Sequence, residues 1–310
     1  MALLVEIGVD TILFDAGVSL APKRYGLPPH PSELEALEAA RKRILKAASK
    51  ANVVFTSHYH KDHYTPNAYS LYEASSPDIF KKTYSGKNVI ALDPNVGTTR
   101  NQVKRAQVFF RALAGKAKIT RMSGGETYSL SEACSVKGLL FSHGEGKLGK
   151  VLAALLICEE QHVLLYIPDV QGPPSRSSAE QIVKLAPRVL VIGGPPLYLA
   201  GGKVSFQTIK DEMSNFAKII RELGETGTKV FISHHILRDP SWEDALEEYG
   251  VERDYYSLYS DRYGREPELL EAYRQALYEY SPPPKDYIEL LRRYVNSLPR
   301  EVIALVKGKR

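Results

Sequence analysis

Three histidines and an aspartate crowd into six consecutive positions, His58, His60, Asp62 and His63 of the stretch TSHYHKDHYTPN. Imidazole nitrogen and carboxylate oxygen are the ligands a zinc-like divalent ion favours, and no thiolate is needed beside them. In an apolar core such a crowd has little use, and protonated rings would repel one another. His58 and His60 stand two residues apart where an apolar strand runs out into a loop, so both rings can turn to one side and grip one ion. Asp62 and His63 then face elsewhere and suit a second ion. A further carboxylate reaching both ions would complete a two-metal hydrolytic centre.

Those side chains need rigid supports. Short aliphatic and β-branched runs recur as strand candidates: TILFD from Thr11, NVVFTS from Asn52, NVIALD from Asn88, VLAALLIC from Val151, HVLLYI from His162, RVLVIG from Arg188 and KVFIS from Lys229. Helical patterns lie between several of them. One runs from Ser32 to Lys50, with Ser32 and Glu35 at capping-box spacing and Leu34, Leu37, Ile44 and Leu45 on one face. Another runs from Ile209 to Leu223 and stops at Gly224. Alternating strands and helices predict a layered α/β core. Asp15, His58, Asp169, the turn from Gly193 to Pro196, and the pair His234 and His235 all stand at or just past strand ends. Ligands in α/β proteins collect at such ends, so residues remote in sequence can build one site.

With the strand before it, HYHKDH resembles the HxHxDH signature of the metallo-β-lactamase superfamily. Further matches follow in that family's order over residues 3 to 240: a D-x-G (Asp15, Gly17), His143 in FSHGEGKLG, Asp169 in LLYIPDVQG and a histidine in VFISHH. The stretches PKRYGLPPHP, YIPDVQGP, GGPPLYL and SHHILRDP are similar to an archaeal branch of the superfamily whose members are known only as hydrolases. The resemblance implies an αββα sandwich in residues 1–240, with residues 241–310 as a helical C-terminal extension packed on it. It implies that His58, His60 and His143 bind one ion, that Asp62, His63 and His234 bind the second, and that Asp169 bridges them. His235 is the rival to His234, since adjacent side chains rarely point at one ion. Asp15 supports the metal loop, and Asp239 is expected to hydrogen-bond a ligand histidine.

The cofactors expected are two divalent ions, zinc first, with Mn2+ or Fe2+ as alternatives. Asp62 would orient the water or accept its proton, for attack on an ester, phosphodiester or lactone-type bond. The superfamily's di-iron oxygen-reducing members carry glutamate where His60 stands here, which favours hydrolysis. Lys23, Arg24, Tyr198 and Arg238 are the expected substrate contacts, the cations for an anionic group and the tyrosine for a developing oxyanion. A small-molecule or phosphodiester substrate is the first reading of the partner. Nucleic acid is the second, motivated by the basic face of RNQVKRAQVFFR, where Val103, Ala106, Phe110 and Val108 are expected inward.

Composition sets limits on these readings. Forty-one basic against 36 acidic side chains give a net charge of +5, which permits an anionic substrate without demanding one. Only Cys134 and Cys158 occur. They are expected as reduced core residues, and with Glu6 and Asp10 breaking the first apolar run they point to a soluble, cytoplasmic protein. Charged residues at 25% and 19 tyrosines lean towards a heat-adapted source. Pro282, Pro283 and Pro284 should separate two C-terminal helices, and the KGKR ending should be a solvated tail.

Overall fold

In the computed structural model, which describes residues 2–144 and 148–308, the chain divides into two units, each built on one sheet. The first unit comprises residues 1–91, 100–121 and 270–310. Its sheet has the order β1 (Leu3–Ile7), β2 (Asp10–Phe14), β3 (Val53–Thr56), β4 (Asn88–Leu92) and β5 (Lys118–Met122). β1 and β2 pair antiparallel, whereas β2, β3 and β4 run parallel. Parallel neighbours cannot be joined by a tight turn. Helix α1 (Pro31–Ala48) therefore carries the chain from β2 to β3, and α2 (Pro77–Tyr84) from β3 to β4. Helix α3 (Arg100–Leu113) leads into β5. All four residues of β3 are buried, as expected of a central parallel strand.

The second unit comprises residues 92–99 and 122–269. Its strands are β6 (Thr127–Ser129), β7 (Cys134–Ser142), β8 (Lys150–Cys158), β9 (Gln161–Ile167), β10 (Val189–Ile192) and β11 (Lys229–Ile232), in the order β11-β10-β9-β8-β7-β6. From β6 to β9 the pairing is antiparallel; from β9 through β10 to β11 it is parallel. Helices α4 (Arg176–Leu185) and α5 (Phe206–Glu225) make the two parallel crossovers, and α6 (Trp242–Glu248) follows β11. Because β7 and β9 both oppose β8, β7 runs with β9, β10 and β11. The carboxyl ends of these four strands therefore share one sheet edge. After residue 269 the chain returns to the first unit as α7 (Arg274–Tyr280), α8 (Tyr287–Arg293) and α9 (Pro299–Lys307). The three prolines do separate two helices, α7 and α8. Among the described residues, no helix is long and apolar enough to cross a membrane.

Several local expectations need correction. α1 begins at Pro31, not Ser32: His30 is the cap, its Nδ1 accepting from Ser32 N at 3.2 Å while Glu33 reaches back to His30 N at 2.7 Å. α5 runs through Gly224 to Glu225, and the residue that stops it is Gly227 at φ +85°. Gly227 N bonds Gly224 O and Thr228 N bonds Leu223 O, both at 3.0 Å, which is the Schellman pattern. In α3 Phe109 is buried while Val108 is 56% exposed, because the apolar stripe runs through Gln102, Ala106, Phe109 and Phe110. β1, β5, β6 and β7 were not among the apolar runs, since their half-exposed residues interrupt the pattern. Cys134 and Cys158 are half-buried and joined by a disulfide, because antiparallel register sets them opposite each other on β7 and β8. Of the KGKR ending, Lys309 and Arg310 lie outside the described residues.

The first unit is closed by its C-terminal helices. Leu34 of α1 packs in a buried cluster with Leu71, Tyr287, Leu290, Leu291, Val302 and Val306. The fully buried Arg274 meets Glu33 with Nε and Nη2 at 2.9 Å, and its Nη1 donates to Ala21 O and Leu27 O at 3.1 and 3.0 Å. Tyr287 Oη donates to Pro29 O at 2.8 Å. Burial pushes the Glu33 carboxyl above its ordinary range even against Arg274, so the pair is a costly one to break. Arg274→Met should therefore lower stability by about 3–5 kcal/mol in thermal or denaturant unfolding. The loss should shrink as pH falls, because protonation removes the uncompensated charge from Glu33. The disulfide, linking residues 24 apart, should contribute about 2–4 kcal/mol, read as a drop in Tm on reduction.

Candidate metal centre

The first unit presents its histidines through one carboxylate. β2 ends at Phe14, and Asp15 takes the left-handed conformation, φ +46°, which aspartate tolerates better than most residues. Its N–H still bonds Phe55 O of β3 at 2.8 Å. Its Oδ1 accepts from Ser57 N at 2.8 Å, and its Oδ2 accepts from Ser57 Oγ and His63 Nδ1, each at 2.7 Å. With the Ser57 hydroxyl hydrogen directed at Asp15, its oxygen accepts from His58 Nδ1 at 3.0 Å. Both imidazoles are thereby held as Nδ1–H tautomers, with the lone pair on Nε2. The His58 ring lies 4.7 Å from that of His60, centroid to centroid, and His63 Nε2 is 3.7 Å from Asp62 Oδ2.

The loop carrying these residues is pinned from two sides. A Cβ at Gly17 would lie 2.4 Å from Tyr64 N and 2.5 Å from the carbonyl of Asp62, so only glycine lets the Asp15 turn approach the histidine loop. Past the motif, Thr65 Oγ1 donates to Ala16 O at 2.6 Å and accepts from the buried Arg41 Nη1 at 2.7 Å. Arg41 also reaches Ala74 O and Glu73 O, at 3.0 and 2.9 Å. Burial brings the Arg41 pKa down to about 10, so it remains a cation at neutral pH.

In the second unit the donors gather at the shared carboxyl edge. His143 follows β7, Asp169 follows β9, and His234 and His235 follow β11. Asp169 is 1% exposed. Its Oδ2 lies 3.1 Å from His143 Nε2 and 3.3 Å from His235 Nε2, and its Oδ1 lies 3.5 Å from His234 Nε2. The ligand atoms of Asp169, His234 and His235 lie within 4.8 Å of one another. Contrary to the expectation for adjacent residues, both His234 and His235 turn towards Asp169, because the chain coils into a 3-10 turn at Ile236–Arg238. The Gln171 amide stands 3.4 Å from His235 Nδ1. Burial pulls the His235 pKa down, with the Asp169 charge opposing it.

Imidazoles and carboxylates, with the His58 and His63 tautomers fixed in the first unit, are the donor types that fit a zinc-like divalent ion. Of the residues expected around it, Asp15 does bond a motif histidine. Asp239 Oδ1 accepts from Ser241 N and Oγ, at 3.0 and 2.8 Å, forming a local turn in place of the expected histidine bond. Arg24 is buried and paired with Glu271 at 2.9 Å, whereas Lys23 is exposed. Arg238 Nη1 is 3.5 Å from Tyr198 Oη, both residues half-buried. Ser57, Arg41 and Gln171 were missed by sequence reasoning. Only Ser57, adjoining the motif at a strand end, carried any signal. In FSHGEGKLG, Glu145, Gly146 and Lys147 lie outside the described residues.

No family model matches the sequence. The chain is 37% identical over 279 residues to a UPF0282 protein of Methanopyrus kandleri, covering 89% of this chain and 94% of the relative. It is 36% identical over 286 residues to a UPF0282 protein of Pyrobaculum calidifontis, covering 90% of each. Among solved structures it is similar to Igni18, a metallo hydrolase from the hyperthermophilic archaeon Ignicoccus hospitalis, with 13% identity and a TM-score of 0.42 over 83% of this chain and 90% of that one. The layered α/β core expected from the alternating strands and helices is present as two mixed sheets with a helical C-terminal segment.

Replacing Asp15 by asparagine should turn an amide donor towards His63 Nδ1 and shift that ring towards the Nε2–H tautomer. Nitrogen-15 NMR of the metal-free protein would read the change directly, and a divalent ion should bind about 10–100-fold more weakly.

Proposed function

The chain belongs to the UPF0282 family, and from that premise and its histidine clusters we propose that it is a metal-dependent hydrolase with a dinuclear centre. The observation that carries the reading is the arrangement of donors at the strand ends. The His58–His60 pair and the Asp62–His63 pair stand on one loop, and Asp169 stands among three histidines on one sheet edge. We assign His58, His60 and His143 to one ion and Asp62, His63 and His234 to the other, with Asp169 shared. His235, buried and backed by Gln171, is assigned to holding Asp169.

Divalent ions held in this way supply Lewis acidity, a lowered pKa for water and a polarised carbonyl or phosphoryl group. Zinc is the ion we favour from the imidazole-rich donors. Asp62 is the base in this reading. Its side chain is 18% exposed, against 1% for Asp169, so it is the carboxylate of the two that solvent reaches and the group we assign to take the proton of the attacking water. Arg238 and Tyr198 follow strand ends of the same sheet edge, β11 and β10, and are the side chains we assign to substrate contact. An ester, phosphodiester or lactone-type bond in a small molecule is the substrate class that this chemistry serves.

The purified protein reconstituted with zinc should hold two ions by elemental analysis. In a substrate-class screen at elevated temperature, Asp169→Ala and Asp62→Ala should each lose at least about a hundredfold in activity. His234→Ala should lose more metal than His235→Ala. Protein that retains no stoichiometric transition metal, or full activity in Asp169→Ala, would overturn the reading.

A further inference from the structure

Tyr59, the residue between His58 and His60, is held on both sides by a single helix. Its N–H donates to Gln102 Oε1 at 3.2 Å, and its carbonyl accepts from Arg105 Nη1 at 3.4 Å. Its ring is fully buried, 5.9 and 6.1 Å from the rings of Phe110 and Phe109. All four of these partners belong to α3. Gln102 is itself only 1% exposed and lies on the buried stripe of the helix.

The direction in which His58 and His60 point relative to each other depends on the φ and ψ of the residue between them. A free Tyr59 could rotate one ring away from the other. Anchoring its N–H, its carbonyl and its ring to one helix removes that rotation, so α3 acts on the angle between the two imidazoles without touching either ring in these contacts. We propose that Gln102 and Arg105 are positioning residues that set the His58–His60 pair for a divalent ion, an inference that rests on the metal-dependent reading above. The basic face of α3 is divided accordingly. Arg100, Lys104 and Arg111 are exposed, while the half-buried Arg105 serves the histidine loop.

The test uses full-length protein, metal-free and then titrated with Zn2+ against a chelator and with Co2+ read by ligand-field absorption. Thermal unfolding of each metal-free variant runs beside it. Gln102→Leu removes the acceptor and is expected to weaken Zn2+ binding about tenfold or more and to change the Co2+ spectrum. Gln102→Glu keeps an acceptor oxygen and should stay within about threefold of the native protein. Arg105→Met removes the donor on the other side and should weaken binding in the same direction. It also carries the test if Gln102→Leu fails to fold. Native affinity and a native Co2+ spectrum in both Gln102→Leu and Arg105→Met would overturn the positioning role and leave metal binding intact, even if their metal-free stability fell. Uptake of neither ion by the native protein would overturn the metal reading and the positioning role together.

Discussion

The histidine loop depends on the carboxylate of Asp15. A metal-binding imidazole is useful only if its lone pair is on the outward nitrogen, and a neutral ring left to itself chooses either tautomer. Asp15 removes the choice for His63 directly and for His58 through Ser57. It can do so because β2 and β3 run parallel and end side by side, and because the turn at Asp15 is left-handed. Gly17 and the Arg41–Thr65 contacts then keep the histidine loop seated on that turn. Each of these features is ordinary alone; together they convert a flexible sequence of donors into a fixed one.

The second unit solves a different electrostatic problem. Asp169 is buried almost completely, and a buried carboxylate is costly unless donors or positive charge surround it. His143 and His235 stand 3.1 and 3.3 Å from its Oδ2 and can donate to it, and burial itself biases His235 towards the neutral form. The strand directions make this economical in sequence. One loop after each of β7, β9 and β11 is enough, because all three strands end on the same edge.

Much of this could be read from the chain alone. The histidine motif, the D-x-G, the strand-end aspartate and the parallel strand–helix alternation are local patterns with strong chemical signatures, and the strands that carry them are unbroken apolar runs. What was illegible depends on partners distant in sequence. Arg41 sits on the apolar face of α1 and looks like a surface charge until its carbonyl partners are known. Gln102 gives no signal in the sequence because its partner, Tyr59, is 43 positions away. The cysteines look like core fillers until the register of β7 against β8 places them opposite each other. Capping at His30 was hidden because histidine is a rare cap, and here a second element accepts from its other nitrogen, Ser281 O at 2.7 Å.

The clamp of the C-terminal helices on the loop after Asp15 has a consequence for how the chain is made. Arg274 and Tyr287 grip residues 241 to 258 positions earlier, so the first unit cannot close until those helices exist. The second unit is built almost wholly from the continuous stretch 122–269, all of it synthesised before them. On a ribosome, the unit that begins first therefore finishes last, while its neighbour in sequence has everything it needs to fold before the closing helices are made.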